Sequence, residues 1–225
     1  MTGDTKYQGY LVGYSTEAEL MVDTTPDYDK IVSKLEKVTP GGGAALYDAI
    51  YLACTSRKLV KGEPLEPHRV LIIMGDGHDN SSSHTLDQVI ELAQRNQVTI
   101  YAVSTDAYGL ISGAAKNLVR LAEATGGRVE YPLLNVYKDT QGFLSRPAND
   151  GNREFADGTG GYAGKILGSM IKSIAAIAGE ISTQYIVRYQ PNTPGIENEE
   201  HRLQVVVNLP NVKVRSRTQY FVPKQ

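Results

Sequence analysis

The chain has 225 residues, of which 41% are hydrophobic and 21% are charged. This composition is ordinary for a globular protein, and the length suffices for one sizeable domain or one domain with an appendage. The net charge of -2 gives no electrostatic argument for nucleic acid or for an anionic membrane surface. A single cysteine, Cys54, excludes an internal disulfide and a cysteine-based zinc site. It falls in a helical pattern, which favours a small buried role over a reactive thiol.

The hydropathy pattern predicts no membrane-spanning segment. No apolar stretch reaches the roughly 18–20 residues that a membrane-spanning helix needs. Residues 1–10 are polar and lack the apolar core of a signal peptide.

The N-terminal part predicts a hairpin followed by two helices. Tyr7 to Ser15 and Ala18 to Val22 are separated by a short polar link, which is typical of two antiparallel strands. Thr25, followed by a proline and an acid, predicts the N-cap of a helix. Its apolar positions recur at spacings of three and four. Residues 39–43 end that helix, and a second helix is predicted over Ala44 to Leu59.

The middle of the chain alternates strands and helices. Val70 to Met74 is an unbroken apolar run, which is typical of a strand buried on both faces. Thr85 begins a T-x-x-Q capping-box pattern ahead of a helix. Val98 to Val103 predicts the next strand, a helix follows around residues 118–122, and Arg128 to Leu134 holds a short strand. This βα repeat predicts an α/β fold with a doubly wound, mostly parallel sheet.

The C-terminal part predicts a polar loop, a long helix and three strands. Residues 135–164 are rich in Gly, Asp and Asn, which favours a mobile or partner-facing loop. An apolar stripe from Leu167 to Ile181 predicts an amphipathic helix that docks on the sheet. The strands, being adjacent in sequence, are expected to be antiparallel. They are Gln184 to Tyr189, Arg202 to Asn208 and Lys213 to Val222. Residues 1–183 are thus predicted to form an α/β domain, and residues 184–225 an antiparallel extension of its sheet.

Three motifs, in this order, resemble a von Willebrand factor A (VWA) domain. They are PGGGAALYDAI (residues 40–50), VLIIMGDGHDN (residues 70–80) and VTIYAVS (residues 98–104). The end of the chain, with QYIVRYQPN at residues 184–192, looks like a bacterial VWA-related branch first noted in acidobacterial proteins. The resemblance covers about residues 7–135 and 165–222, and it implies a Rossmann-like sheet with helices on both faces.

The same resemblance implies a metal site that this chain does not complete. Many VWA domains hold Mg²⁺ with a D-x-S-x-S motif, a threonine in a glycine loop and an aspartate at a strand tip. Asp76 matches the aspartate, Ala44 stands at the threonine position and the D-x-S-x-S motif is absent. One carboxylate competes poorly with the hydration shell of Mg²⁺. We therefore expect no tight metal site, unless residues upstream of Met1 complete it. Asp76 and Asp79 are expected to accept backbone N–H groups, and His78 and His84 to be exposed loop residues.

The family's first strand, which is central in its sheet, also has no counterpart here. Tyr7 to Ser15 aligns with the family's second strand. Two explanations are open: the chain is a fragment, or the second and fourth strands of the family pair directly in a contracted sheet.

The motifs favour a non-enzymatic protein-binding or adhesion module, with no cofactor of its own. In open α/β sheets, ligands bind at the carboxyl ends of the strands. The expected partner-binding residues are Gly42, Gly43, Ala44, Asp76, Gly77 and Asp79, together with the loop Ala107–Gly113.

Two other classes of function were weighed against the binding module. A hydrolase-like enzyme that uses Asp76, His78 and Asp79 is an alternative, but no nucleophile elbow, P-loop or zinc motif accompanies them. A phosphoacceptor receiver domain needs an acidic pair and a lysine that are not evident. The VWA resemblance implies an exported protein.

Overall fold

The computed structural model describes residues 7–56, 68–106, 113–133, 159–187, 189, 196 and 199–222. Their strands are β1 (Gly9–Tyr14), β2 (Ala18–Thr25), β3 (Arg69–Gly75), β4 (Val98–Ser104), β5 (Val129–Glu130), β6 (Glu200–Arg202) and β7 (Gln219–Phe221). Their helices are α1 (Tyr28–Leu35), α2 (Leu46–Thr55), α3 (Leu86–Arg95), α4 (Gly113–Thr125) and α5 (Thr159–Thr183).

A parallel sheet in the order β3-β4-β5 lies at the centre of the fold. The β3 strand pairs with β4 along its whole length, from Arg69 opposite Val98 to Gly75 opposite Ser104. Every residue of β4 is buried, as a near-continuous apolar run in a parallel sheet predicts. The predicted strands at 70–74 and 98–103 and the α/β fold class are thereby confirmed. The expected burial of the first strand on both faces is wrong, because β3 is an edge strand of the described sheet and its residues Ile72 and Met74 are 46% and 47% exposed.

Helices cover both faces of this sheet. On one face, α2, α3 and α4 pack on β3 and β4 through one apolar cluster, whose fully buried members include Leu46, Val89, Ile100 and Leu118. Cys54 belongs to the same cluster, and burial raises the pKa of its thiol to about 12. The predicted buried role of this cysteine is confirmed.

The long helix α5 packs on the other face of the sheet, mainly against β4. Ile177 packs with Tyr101 and Val103 of β4, and Met170 and Ile181 join this cluster. The predicted docking is therefore correct. The apolar stripe is only half used, however, because other large apolar residues stay exposed: Leu167 at 61%, Ile171 at 57% and Ile174 at 43%.

Two expectations about α5 are wrong: the residue at which it begins, and the absence of any apolar stretch long enough to cross a membrane. The helix begins at Thr159, inside the stretch predicted as loop 135–164; residues 134–158 lie outside the described part of the chain. Residues Ala163–Thr183 are also long and apolar enough to cross a membrane by length and composition, with a mean hydropathy of 1.2. The sequence pattern did not indicate this length, because glycine, alanine and serine interrupt the large apolar residues. The packing of Ile177 on β4 is that of a helix docked on a sheet.

The predicted N-terminal hairpin is present, but it does not join the central sheet. Strands β1 and β2 pair with each other in antiparallel register and form a two-stranded sheet of their own. The hydroxyl of Tyr14 approaches the carbonyl oxygen of Met74 on β3, at 3.5 Å. Of the two explanations left open by the sequence, the contracted sheet, in which this strand pairs directly with β3, is therefore wrong for the described residues.

The structure changes the predicted bounds of helices α1 and α2 and confirms the predicted cap of α3. Asp27, rather than Thr25, is the N-cap of α1, since its carboxylate accepts the N–H of Asp29 and β2 runs on to Thr25. Helix α2 covers residues 46–55 instead of 44–59, and residues 57–67 lie outside the described part of the chain. The capping box of Thr85 and Gln88 is confirmed.

The C-terminal strands are antiparallel, as predicted, but short. Strands β6 and β7 pair only with each other, so among the described residues they form a separate sheet and do not extend β3-β4-β5. Residues 184–187 are not a strand, and Tyr185 is 94% exposed. Isolated pairs need packing from elsewhere, and here the Arg95 guanidinium lies 4.0 Å over the ring of Phe221. The division at residues 183 and 184 stays a prediction.

Candidate functional site

The carboxyl end of β3 meets the loops before α2 and after β1. We call these loops, residues 15–17, 41–45 and 76–85, the loop edge. Ala44 lies at its centre: its N–H donates to Asn80 Oδ1 at 2.8 Å, and its carbonyl accepts the N–H of Asn80 at 3.0 Å and of Ser81 at 3.3 Å. The next residue, Ala45, donates its N–H to the carbonyl of Ser15 at 2.7 Å. Three loops that are distant in sequence are thus joined mainly through backbone groups.

The glycine loop is shaped by close approaches. Gly42 has φ +84, in the left-handed region that a side chain disfavours. Gly43 donates its N–H to the hydroxyl oxygen of Thr16 at 3.1 Å, and a Cβ at Gly43 would collide with Ser81 Oγ. The glycines therefore let the loop pass between residue 16 on one side and residue 81 on the other.

Asp76 sits at the tip of β3, where the sequence predicts it. Its carboxylate accepts the backbone N–H of His78 and pairs with Nδ1 of the same residue, both at 2.9 Å. Burial alone raises the pKa of Asp76, but these hydrogen bonds outweigh it and lower the pKa. Gly77 has φ +86, and a Cβ there would meet the carbonyl of Ala114. The strand tip is thereby packed against the start of α4.

Asp79 and Ser82, which lie in another loop, cap the N-terminus of helix α2. The N-cap residue, Ala45, makes no side-chain cap. Asp79 instead accepts the N–H of Tyr47 at 2.9 Å, and Ser82 Oγ accepts the N–H of Asp48 at 3.0 Å. Asp79 also accepts the hydroxyl of Ser82 at 2.6 Å. A carboxylate at a helix N-terminus is stabilised by the unpaired N–H groups and the helix dipole. Both aspartates accept backbone N–H groups, as the sequence predicts.

A second acid–histidine pair was not predicted. Asp48, in the first turn of α2, accepts the backbone N–H groups of Ser83 and His84 and pairs with His84 Nδ1 at 2.6 Å. The imidazole stacks on Tyr51, with ring centroids 3.7 Å apart. Burial alone raises the pKa of Asp48, but the hydrogen bonds lower it to about 2. The expectation of an exposed His84 is wrong, since its side chain is only 29% exposed; His78, at 64%, fits it.

The sequence held one signal for this pair. Asp48 stands in the first helical turn, where carboxylates favour the helix N-terminus. Its partner lies 36 residues further along the chain, beyond the reach of any local pattern.

The donor set does not fit the magnesium site that the VWA resemblance implies. The methyl group of Ala44 offers no lone pair, and the Asp79 carboxylate is engaged by Tyr47 and Ser82. Among the described residues, no three His, Cys, Asp or Glu side chains come together as metal ligands. Asp76 would be left to compete alone with the hydration shell of Mg²⁺.

Comparison with known proteins gives likeness in structure only. No protein-family model and no curated protein matches the chain. One similar solved structure is an aerotolerance-related membrane protein from Bacteroides fragilis, with 15% identity and a TM-score of 0.44, covering 54% of this chain and 70% of that one.

Two further similar structures are VWA domains by name. A von Willebrand factor type A protein from Catenulispora acidiphila has 16% identity and a TM-score of 0.45, covering 62% of this chain and 33% of that one. The VWA domain of SpRpn10 has 17% identity and a TM-score of 0.39, covering 54% and 62%. VWA domains, which the sequence motifs predict, are thus among the similar solved structures. At these identities the likeness concerns the fold alone.

Proposed function

We propose that this chain is a non-enzymatic VWA-type module that binds a protein partner at the loop edge without needing a metal ion. The contact surface includes the glycine loop and the tip of β3. Its members are Gly42, Gly43, Ala44, Asp76, Gly77 and Asp79, and the sequence motifs add the loop Ala107–Gly113. Residues 107–112 lie outside the described part of the chain. The VWA resemblance of the sequence favours an exported protein as the host of such a module.

The observation that carries this proposal is the set of bonds made by Ala44 and Asp79. Ala44 is bonded to Asn80, and Asp79 caps α2, at two positions where a metal-dependent edge would need free oxygen ligands. A rigid edge of backbone groups and short side chains suits contact with a protein surface, since loops held by a scaffold carry much of protein recognition.

The geometry favours the binding module over a hydrolase. In a serine–histidine–acid triad, the serine bonds one imidazole nitrogen and the acid bonds the other. Here Ser83 Oγ and Asp48 Oδ1 both approach Nδ1 of His84, at 3.3 Å and 2.6 Å. Asp76 and His78 pair only with each other in the hydrogen bonds described, and the side chain of His78 is 64% exposed.

Selection from a random-peptide phage library tests the partner-binding edge. We expect peptides selected on the chain to lose binding to the double variant Asp76→Ala, His78→Ala. They should keep it on the control Glu199→Ala, His201→Ala, which removes another acid–histidine pair, at 3.4 Å, near β6. Peptides that bind both variants equally would place the interaction elsewhere.

Calorimetric titration with Mg²⁺ and Mn²⁺ tests the metal independence. We expect no micromolar binding, and peptide binding that is unchanged by EDTA. Micromolar affinity that is lost in Asp76→Ala would contradict this and favour a metal-dependent VWA site.

A further inference from the structure

A cleft at the loop edge lies outside the residues named for the proposed contact surface. It has a volume of about 480 Å³, within the range of roughly 300–1,000 Å³ that is common for small-ligand pockets. We call it the Tyr51 cleft. It is lined by Thr16, Glu17, Ala18, Asp48, Tyr51, Leu52, Ser81 and His84.

The wall of the Tyr51 cleft is an aromatic ring held in place. Tyr51 stacks on His84 at 3.7 Å with an interplanar angle of 18°, and His84 is fixed in turn by Asp48. Tyr51 nevertheless remains 38% exposed. An aromatic face that is fixed and partly open is suited to stacking with a planar cation.

The rim of the Tyr51 cleft carries a free acid. Among the described residues, the Glu17 carboxylate makes no hydrogen bond or ion pair, whereas Asp48 is committed to Ser83 and His84. The neighbouring hydroxyl of Ser81 donates to Asn80 Oδ1 at 2.8 Å and keeps its lone pairs for a donor in the cleft.

The described lining of the Tyr51 cleft carries two carboxylates, Glu17 and Asp48, and includes no lysine or arginine. A cationic ligand is attracted to such a surface, and an anionic ligand is repelled.

We propose that the Tyr51 cleft binds an arginine side chain of the protein partner. The guanidinium group stacks on the exposed part of Tyr51 and pairs with Glu17 through two parallel N–H groups. Arginine suits both contacts, because its planar group stacks on aromatic rings and matches a carboxylate with two donors. This proposal rests on the proposed function, since it names the chemistry of the partner at the same edge.

Titration followed by two-dimensional NMR tests the site on the isotope-labelled chain. The probe is acetyl-Gly-Arg-Gly-amide, and its neutral counterpart carries citrulline, which keeps the shape and loses the charge. We expect saturable shifts at the amides of Glu17, Ser81 and His84, with a dissociation constant on the order of 1–10 mM. The citrulline peptide should bind several-fold more weakly. A lysine peptide, which cannot bind in two-donor fashion, should fall between them.

Two variants with one control locate the binding. Glu17→Gln and Tyr51→Leu should each weaken the arginine peptide by roughly two- to five-fold, the effect of an exposed ion pair or an exposed cation–π contact. Asp106→Asn removes the same charge after β4, outside the Tyr51 cleft, and should leave the affinity unchanged. Equal weakening by Glu17→Gln and Asp106→Asn would mean that the peptide responds to the net charge of the chain and not to the Tyr51 cleft, and would overturn the proposal. Absence of saturable shifts in the wild-type chain would overturn it as well.

The two proposals fail separately. One outcome is phage-selected peptides that need the loop edge but show no preference for arginine. If the arginine peptide then gives no saturable shifts, the proposed binding module stands and the arginine site in the Tyr51 cleft is wrong. Peptides that ignore the loop edge would count against the module, whatever the titration gives.

Discussion

Strand β4 is apolar in sequence and helix α1 carries an apolar stripe, yet their side chains are buried to very different extents. Every residue of β4 is buried. In contrast, α1 has no buried residue, and Tyr28, Val32 and Leu35 are exposed by 43–52%. The strand lies between β3 and β5 and under helices on both faces, whereas α1 packs mainly against the two-stranded hairpin within the described part of the chain.

The difference shows that an apolar pattern predicts which residues share a face, but not whether another element packs on that face. Burial of apolar surface is the main favourable term in folding, and it depends on how much surface leaves water. By this measure the stability of the fold resides in β3, β4 and the helices on them. The hairpin and α1 are held by less apolar contact and should open more easily.

The largest expected effect comes from one substitution made in both regions. Leu121→Ala truncates a side chain of α4 that is 0% exposed, and it should lower the free energy of unfolding by roughly 2–5 kcal/mol. Leu35→Ala makes the same change in α1 at 52% exposure and should cost no more than about 0.5 kcal/mol. Urea denaturation followed by circular dichroism measures both values.

A large cost for Leu35→Ala would break the comparison. It would mean that the apolar stripe of α1 is covered in solution, by a second copy or by another part of the chain. Dependence of that cost on protein concentration would identify the second copy, since association stabilises by mass action.

The sequence was informative where a residue's environment is decided by its neighbours in the chain. The buried run at 98–103 and the capping box of Thr85 are of this kind, because a strand buried on both faces and a helix cap each have a local pattern. The run at 70–74 predicted the strand correctly but not its burial, since Ile72 and Met74 are 46% and 47% exposed. The same holds for the tip of β3, where Asp76 accepts the N–H of His78, only two residues on.

The sequence was uninformative where contacts join distant residues. The spacing of apolar residues in α1 is like that in α3, but only α3 buries its stripe, with Val89 and Ile90 in the core. Likewise, nothing local indicates that Asp48 pairs with His84 or that Asp79 caps a helix 32 residues earlier. Covering partners and caps supplied by another loop depend on tertiary packing.

A smaller effect separates the two aspartates of the strand tip. Asp79→Ala removes the acceptor for the N–H of Tyr47 and for Ser82, and should cost roughly 0.5–2 kcal/mol, as the loss of a helix cap does. Asp76→Ala removes bonds only to His78, at a side chain that is 51% exposed, and should cost less than about 0.5 kcal/mol. Urea denaturation and hydrogen exchange at the amide of Tyr47 compare the two.

Faster exchange of the Tyr47 amide in Asp79→Ala, and not in Asp76→Ala, would assign the loss to the cap of α2. Equal costs for the two variants would contradict the cap and make the strand tip a single unit.

A third effect is a pH dependence that arises where Asp48 of α2 meets the loop edge. The pKa of Asp48 is about 2 in the folded chain, below its ordinary value of 3.8, so the unfolded chain binds a proton more readily. The stabilisation by this carboxylate is therefore complete above about pH 4 and is lost as the pH falls towards 2. Asp48→Asn should destabilise by roughly 1–2 kcal/mol at pH 6, as lost hydrogen bonds to a charged group do.

The difference between wild type and Asp48→Asn should shrink steadily between pH 4 and pH 2. Urea midpoints measured across that range provide the test. Ser83→Ala keeps the backbone donors to Asp48 and removes one hydroxyl bond, so its smaller cost should shrink in the same window. A difference that stays constant down to pH 2 would assign the role of Asp48 to shape instead of charge. The stacked pair of His84 and Tyr51 would then be held by packing, as the side chains on β4 are.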